Sequence, residues 1–157
     1  MTVIAEETAI ALKGVCSTDV DLSTLRSRFP QGLAPDWLIV AMGEFRLAGA
    51  SLSLTENDDE SGIGAELKWL TPIQMVSEAF ESEPGLSVMA MGLLPIAACA
   101  IGSGDPYFLD LRTITDDPPL VRVLHDFVGV EGKSFPPEGI EVVSQHLSDF
   151  FAKATVN

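Results

Sequence analysis

Helical spacing of apolar residues dominates the first third of the chain. Ile4, Ala11, Leu12 and Val15 recur at roughly helical intervals over residues 3–15 and predict a short helix ending near Lys13-Gly14. Asp19 or Asp21 then offers a carboxylate to the orphan amides of a second helix. In it Leu22, Leu25 and Phe29 share a face before Pro30 and Gly32 stop the run. Pro35 restarts it at a first-turn position, where a missing N–H costs nothing, and the stripe Trp37, Leu38, Ala41, Met42 closes at Gly43.

After Gly43 the apolar period falls to two. Phe45 and Leu47 lie on one face, whereas Leu52 and Leu54 have the opposite parity, so the phase shift at Gly49 predicts a bulge or hairpin corner. Residues 55–64 are polar and acidic and read as a mobile loop. Leu67, Trp69 and Leu70 make a short strand. Thr71-Pro72 then opens a helix with Ile73, Val76 and Phe80 inward, ended by Glu83-Pro84-Gly85. Strands follow, and residues 86–101 read as buried strand. Residues 94–126 hold three apolar runs separated by two turn signals, Gly102-Ser103-Gly104-Asp105 and Thr115-Asp116-Asp117-Pro118-Pro119, the pattern of a meander. In the tail, Ile140, Val143, Leu147, Phe150 and Phe151 fit one helical face. Residues 140–143 fit a last strand equally well, with Ser144 capping a shorter helix, and the pattern leaves both open.

Composition narrows the picture. The 157 residues suit one domain, 1–157, and no repeat or linker marks a boundary. Such a chain buries roughly 68–70% of its unfolded surface and needs no disulfide or metal to fold. Cys16 and Cys99 are too few for a disulfide framework or zinc site and fit a reducing cytoplasm. The first residues lack the basic charge of a signal peptide, since Glu6-Glu7 precedes Lys13. Residues 86–101 are uncharged but shorter than the ~20 residues of a membrane span, and Gly92 and Pro95 interrupt them.

Charge is the main outlier: 23 acidic against 9 basic residues give a net charge of −14. Nucleic acid and anionic membrane both require Lys and Arg to neutralise phosphate, so both are disfavoured as partners. A basic protein is attracted instead. Aromatic residues are 7% of the chain and are not interleaved with basic ones, which also disfavours nucleic-acid stacking.

Candidate chemistry is sparse. The chain has no Gly-x-Ser-x-Gly elbow, no Gly-Lys-Ser/Thr phosphate loop and no His-Glu-x-x-His. His125 and His146 lie on different elements without a nucleophile placed near them by sequence. No catalytic residue, cofactor or metal is therefore assigned. Asn57-Asp58-Asp59-Glu60-Ser61-Gly62 resembles the start of a calcium-binding loop, yet its twelfth position is Lys68 where a bidentate Glu belongs. The Gly102-Ser103-Gly104 turn is followed by Asp105, which repels phosphate, and reads as a hairpin. Asp110 and Arg112 share a face by parity and read as a surface pair.

Several motifs taken in order resemble the SUKH superfamily, which includes fungal regulators of cell-wall assembly and bacterial immunity proteins of polymorphic toxin systems. They are Phe29-Pro30 and Pro35-Asp36-Trp37-Leu38, then Trp69-Leu70-Thr71-Pro72, then Leu94-Pro95-Ile96-Ala97 with Gly102-Ser103-Gly104-Asp105 and Phe108-Leu109-Asp110-Leu111. Val121-Arg122-Val123-Leu124-His125-Asp126 follows, and Val143-Ser144 with Leu147-Ser148-Asp149-Phe150-Phe151 closes the series. Together they span about residues 20–153. Gly43-Glu44 departs from the family's usual Asn-Gly or glycine pair after the second helix, and the strand region after Gly49 keeps little of its pattern.

The resemblance implies an α+β fold, with N-terminal helices and a C-terminal helix packed on a curved, largely antiparallel meander sheet. It implies no cofactor and no catalytic residues. It also implies a binding role, often neutralising a cognate toxin by direct contact, so the chain reads as a non-catalytic binding domain of immunity type, cytoplasmic by its cysteine usage. The net charge makes a basic toxin domain the complementary partner. A regulatory or scaffold module unrelated to toxins is the alternative, and a small hydrolase built on scattered Asp, Glu and His is the third class. The expected contact residues are Glu56, Asp58, Asp59 and Glu60 in the acidic loop and Asp116 and Asp117 in the proline turn.

Overall fold

The computed structural model describes residues 3–30, 33–101, 104–128 and 135–157. Gly32 and the Gly102-Ser103 half of the glycine turn, both expected breaks, lie outside the described residues.

Three helices come first: α1 (Glu6–Ala11), α2 (Asp19–Arg28) and α3 (Asp36–Glu44). Thr18, rather than Asp19 or Asp21, caps α2, because its hydroxyl accepts the amide of Asp21; the two aspartates sit in the first turn, where their charge complements the helix dipole. Gly43 does not close α3. The helix continues to Glu44, and a Cβ on Gly43 would press on Leu22 of α2, so the glycine sets how closely the two helices pack.

The chain then turns at Gly49, whose φ of +82° is the conformation the phase shift required, and the Ala50 amide donates back to the Leu47 carbonyl. Strands β1 (Ser51–Leu54) and β2 (Ala65–Trp69) form a hairpin with alternating burial. Next comes α4 (Pro72–Glu81), opened by a complete capping box between Thr71 and Gln74 with Pro72 in the first turn. Its inward face is Pro72, Met75, Val76 and Ala79; Ile73, expected inward, is exposed, because the i, i+3, i+4, i+7 stripe starts at Pro72. Residues 86–91 are not strand. Gly85–Val88 forms α5 and Met89–Met91 a 3-10 turn, ended by left-handed Gly92.

Strands β3 (Leu93–Cys99), β4 (Tyr107–Asp110), β5 (Leu120–Val123) and β6 (Ile140–Ser144) continue the meander. Residues 140–144 are thus strand, and the last helix is the shorter α6 (Leu147–Lys153). A two-residue strand, β7 (Thr155–Val156), pairs with β1. The seven strands run in the order β6-β5-β4-β3-β2-β1-β7, every pair antiparallel.

This order forces curvature. Seven flat strands would be about 29 Å across at ~4.8 Å spacing. Residues 145–154 join one edge to the other, and α6 takes up most of them at about 1.5 Å per residue. Such a connection reaches only about 20 Å, so the sheet curls into a half-barrel, and the fold is α+β on a curved antiparallel meander. The larger core gathers Leu25, Met42, Trp69, Met75, Phe150 and Phe151 with one face of the strands. The other face of β3–β6 carries a smaller core of Val88, Leu93, Phe108, Val121, Val123 and Phe135. Burial on both faces explains why the opening strands of the meander read as unbroken apolar runs.

Candidate functional site

The loop between β1 and β2 reaches across the open side of the half-barrel. The Glu60 amide donates to the Val143 carbonyl of β6 at 3.0 Å, and the Gln145 side chain donates to the Glu60 carboxylate at 3.1 Å. Asp58 and Asp59 turn their amides onto the Thr55 carbonyl. The loop expected to be mobile is therefore anchored at both its base and its tip.

Its anchor is a buried cation. Arg122 sits in β5 on the same sheet face as its cross-strand neighbour Tyr107. One guanidinium nitrogen donates to the Gly64 carbonyl at 2.9 Å, to the Tyr107 hydroxyl at 3.3 Å and to Asp59 at 3.4 Å; the other donates to the Ser61 hydroxyl at 2.9 Å. Asp59 also accepts the amide and hydroxyl of Ser61, both at 2.8 Å. Burial works against the Arg122 charge, but Tyr107 and Asp59 outweigh it and hold its pKa above the ordinary arginine value. Burial likewise raises the Tyr107 phenol, with Arg122 pulling it down less strongly.

This network corrects one expected contact residue. Asp59 is 3% exposed, so its carboxylate serves Arg122 and Ser61 and is not offered to a partner. The same geometry turns it away from any calcium-loop arrangement, and among the described residues no group of three acidic, His or Cys side chains is placed to hold a metal. Glu56 and Glu60 are exposed, and Asp58 is half-buried.

Asp117 is also committed. Its carboxylate accepts the amide of Ser148 at 2.8 Å and the Ser148 hydroxyl at 2.5 Å, while the Pro118 carbonyl accepts the Leu147 amide. The proline turn thus supplies the cap of α6 from 31 positions upstream, a role that Ser144, the last residue of β6, does not fill. Asp116 is exposed.

The two acidic segments meet on one structural junction. Glu60 engages Val143 and Gln145, and Asp117 engages His146 and Ser148, so residues 143–148 seat both. Exposed Glu60 and Asp116 stand beside this junction, whose base is fixed by Arg122 and by the α6 cap.

The chain matches no family model, no curated protein and no solved structure. Its own geometry is what bears on function.

His125 is the nearest approach to catalytic geometry. Its Nδ1 lies 2.5 Å from Asp105 and its Nε2 lies 3.3 Å from Asp126. The Asp105 oxygen that meets the ring also accepts the His125 backbone amide at 2.9 Å. One carboxylate holding both the main chain and the ring of a single residue ties the strand connection before β4 to the end of β5. Asp126 stands at the ring nitrogen a substrate proton would approach. Asp110 and Arg112 form the expected surface pair, with two side-chain hydrogen bonds at 2.9 and 2.7 Å. Burial pushes the Asp110 pKa up, but the bonds and charge of Arg112 together hold it below the usual carboxylate range. No described helix is long and apolar enough to cross a membrane.

Sequence reasoning missed Arg122 and Gln145. Arg122 was signalled by a lone cation inside the apolar run Leu-Val-Arg-Val, where burial demands a partner. Gln145 had no signal, since its role depends on the curl that brings β6 under the loop.

Proposed function

We propose that the chain is a non-catalytic protein-binding domain of immunity type that neutralises a basic toxin domain by direct contact. The observation that carries this reading is the junction at residues 143–148, which holds the two segments that bear the exposed Glu60 and Asp116. A rigid acidic surface on a chain of net charge −14 speeds encounter with a cationic partner and selects against anionic ones. The resemblance to the SUKH superfamily supports the same reading, and the sparse cysteines fit a cytoplasmic setting.

Co-expression with the toxin domain encoded by a neighbouring gene tests it. Growth is protected, a complex forms at low salt, and Glu60→Lys with Asp116→Lys weakens the complex by about tenfold or more. Growth arrest despite co-expression, with no complex at low salt, rejects the reading. A stable protein complex without growth protection indicates a regulatory or scaffold module instead.

A further inference from the structure

Three neighbouring hollows flank α3: two share Ile4, Glu44 and Phe45, and the third meets them at Trp37 and reaches Asp116 in the proline turn. The first, about 710 Å³, lies between α1 and the end of α3 and includes Ile10 and Phe45. The second, about 240 Å³, adds Val40 and Trp37. Trp37 then lines the third, about 460 Å³, bounded by Leu111, Ile114 and Asp116. Apolar side chains stand exposed along these hollows: Ile10, Val40 and Ile114 are 78%, 50% and 103% exposed. Burial of side chains so placed is favourable, so their exposure along one track marks a surface that gains from being covered.

The rim is predominantly acidic. Glu6 and Glu44 flank the first hollow, and Asp36 and Asp116 flank the last, all four exposed. Arg46 is the basic residue lining it, and its Nε donates to the Gly14 carbonyl at 2.9 Å. Asp36 also meets Arg26 at 3.5 Å in an exposed pair of the kind worth little in water. An apolar track between carboxylates is complementary to a segment whose aliphatic or aromatic side chains alternate with Lys and Arg. It repels an acidic segment and gains no apolar burial from a purely polar one.

We propose that these hollows form one groove that binds a basic amphipathic segment of the partner protein, with Trp37 at its centre and Asp116 joining it to the acidic junction. The proposal rests on the protein-binding reading above and gives that partner its recognition chemistry.

Tryptophan emission provides the test, because Trp69 is fully buried and Trp37 lies in the groove. The probes are three synthetic peptides of equal length: Leu–Lys amphipathic, Lys–Ser of the same charge without an apolar face, and Leu–Glu amphipathic. The Leu–Lys peptide binds and shifts the emission, Trp37→Phe abolishes the shift, and Val40→Asn or Glu44→Lys weakens binding about tenfold while thermal unfolding stays unchanged. Equal affinity for the Lys–Ser peptide, or undiminished binding by both variants, overturns the proposal. So does sedimentation showing a dimer that Val40→Asn dissociates, since the occupant is then a second copy of this chain. Failure of the two readings separates cleanly. Growth protection that survives Val40→Asn and Glu44→Lys removes the groove and leaves the immunity reading standing. Peptide binding as described, with no protection by the wild-type chain, removes the immunity reading and leaves the groove.

Discussion

Asp59 and Arg122 meet at 3.4 Å with side chains 0% and 2% exposed, although they are 63 positions apart. Arg122 belongs to a central strand and Asp59 to the hairpin loop that crosses the open side of the sheet. Removing one partner leaves the other as an uncompensated buried charge, which costs about 3–5 kcal/mol. Arg122 keeps Gly64 and Tyr107 as acceptors when Asp59 is lost, so Asp59→Ala is expected near the lower end, about 3 kcal/mol. The double variant Asp59→Leu/Arg122→Met removes both buried charges and recovers part of the loss, the remainder reflecting the Ser61, Gly64 and Tyr107 groups left without their partners. Urea unfolding reads both values, and a loss below about 1 kcal/mol for Asp59→Ala contradicts the structure.

Asp117 holds the start of α6 from outside the helix. Asp117→Ala removes a charged acceptor from the Ser148 amide and hydroxyl and is expected to cost about 1–2 kcal/mol. Hydrogen exchange localises the effect: the Ser148 amide loses protection, while amides of β3 and β4 keep theirs at the level set by global stability. Uniform loss across the sheet would mean that Asp117 acts elsewhere than at the cap.

Two glycines separate packing from backbone strain. A Cβ on Gly85 would run into the Glu78 carbonyl and the Ala79 backbone of α4, which have no room to yield. Gly85→Ala is expected to destabilise by more than about 2 kcal/mol, through overpacking. At Gly49 a Cβ meets nothing within 4 Å, but the φ of +82° disfavours any side chain. Gly49→Ala is therefore expected to cost about 1 kcal/mol. Comparable losses at the two positions would remove the distinction.

Much of the fold was legible because local chemistry and tertiary context agreed. Thr71-Pro72 opened a helix as expected, since its capping box lies within four residues. Gly49 marked a real turn because the parity change on either side required one. Ile73 was misassigned inward because the helical face was phased from the wrong residue; Pro72 buries instead. Residues 86–91 are helical although apolar, since so short an apolar run does not separate helix from strand, and of these six only Val88 is buried. The acidic site was half legible. Glu60 and Asp116 are exposed, but Asp59 and Asp117 serve the fold, and their partners Arg122 and Ser148 lie far along the chain. Composition cannot distinguish a carboxylate that faces solvent from one that caps a helix 31 residues away.

Glu78 gives stability a pH dependence opposite to that of most surface carboxylates. Burial, and then the charge of Glu83, raise its pKa from 4.5 to about 6. The folded state therefore binds more protons than the unfolded state between those two values. Where that holds, stability falls as pH rises, so the Glu78 contribution is lost through pH 4.5 to 6 and stays lost above it. Glu78→Gln removes the penalty and is expected to raise stability at pH 7 by about 1 kcal/mol or less, the full shift being reduced by partial solvent screening. Below about pH 4.5 the variant and wild type converge. Salt trims the Glu83 part of the effect and leaves the burial part. Thermal unfolding of both proteins across this range measures the difference; a wild type more stable than Glu78→Gln at pH 7, with the gap closing toward acid pH, would show that Glu78 is stabilised as a carboxylate and would reverse its assigned role.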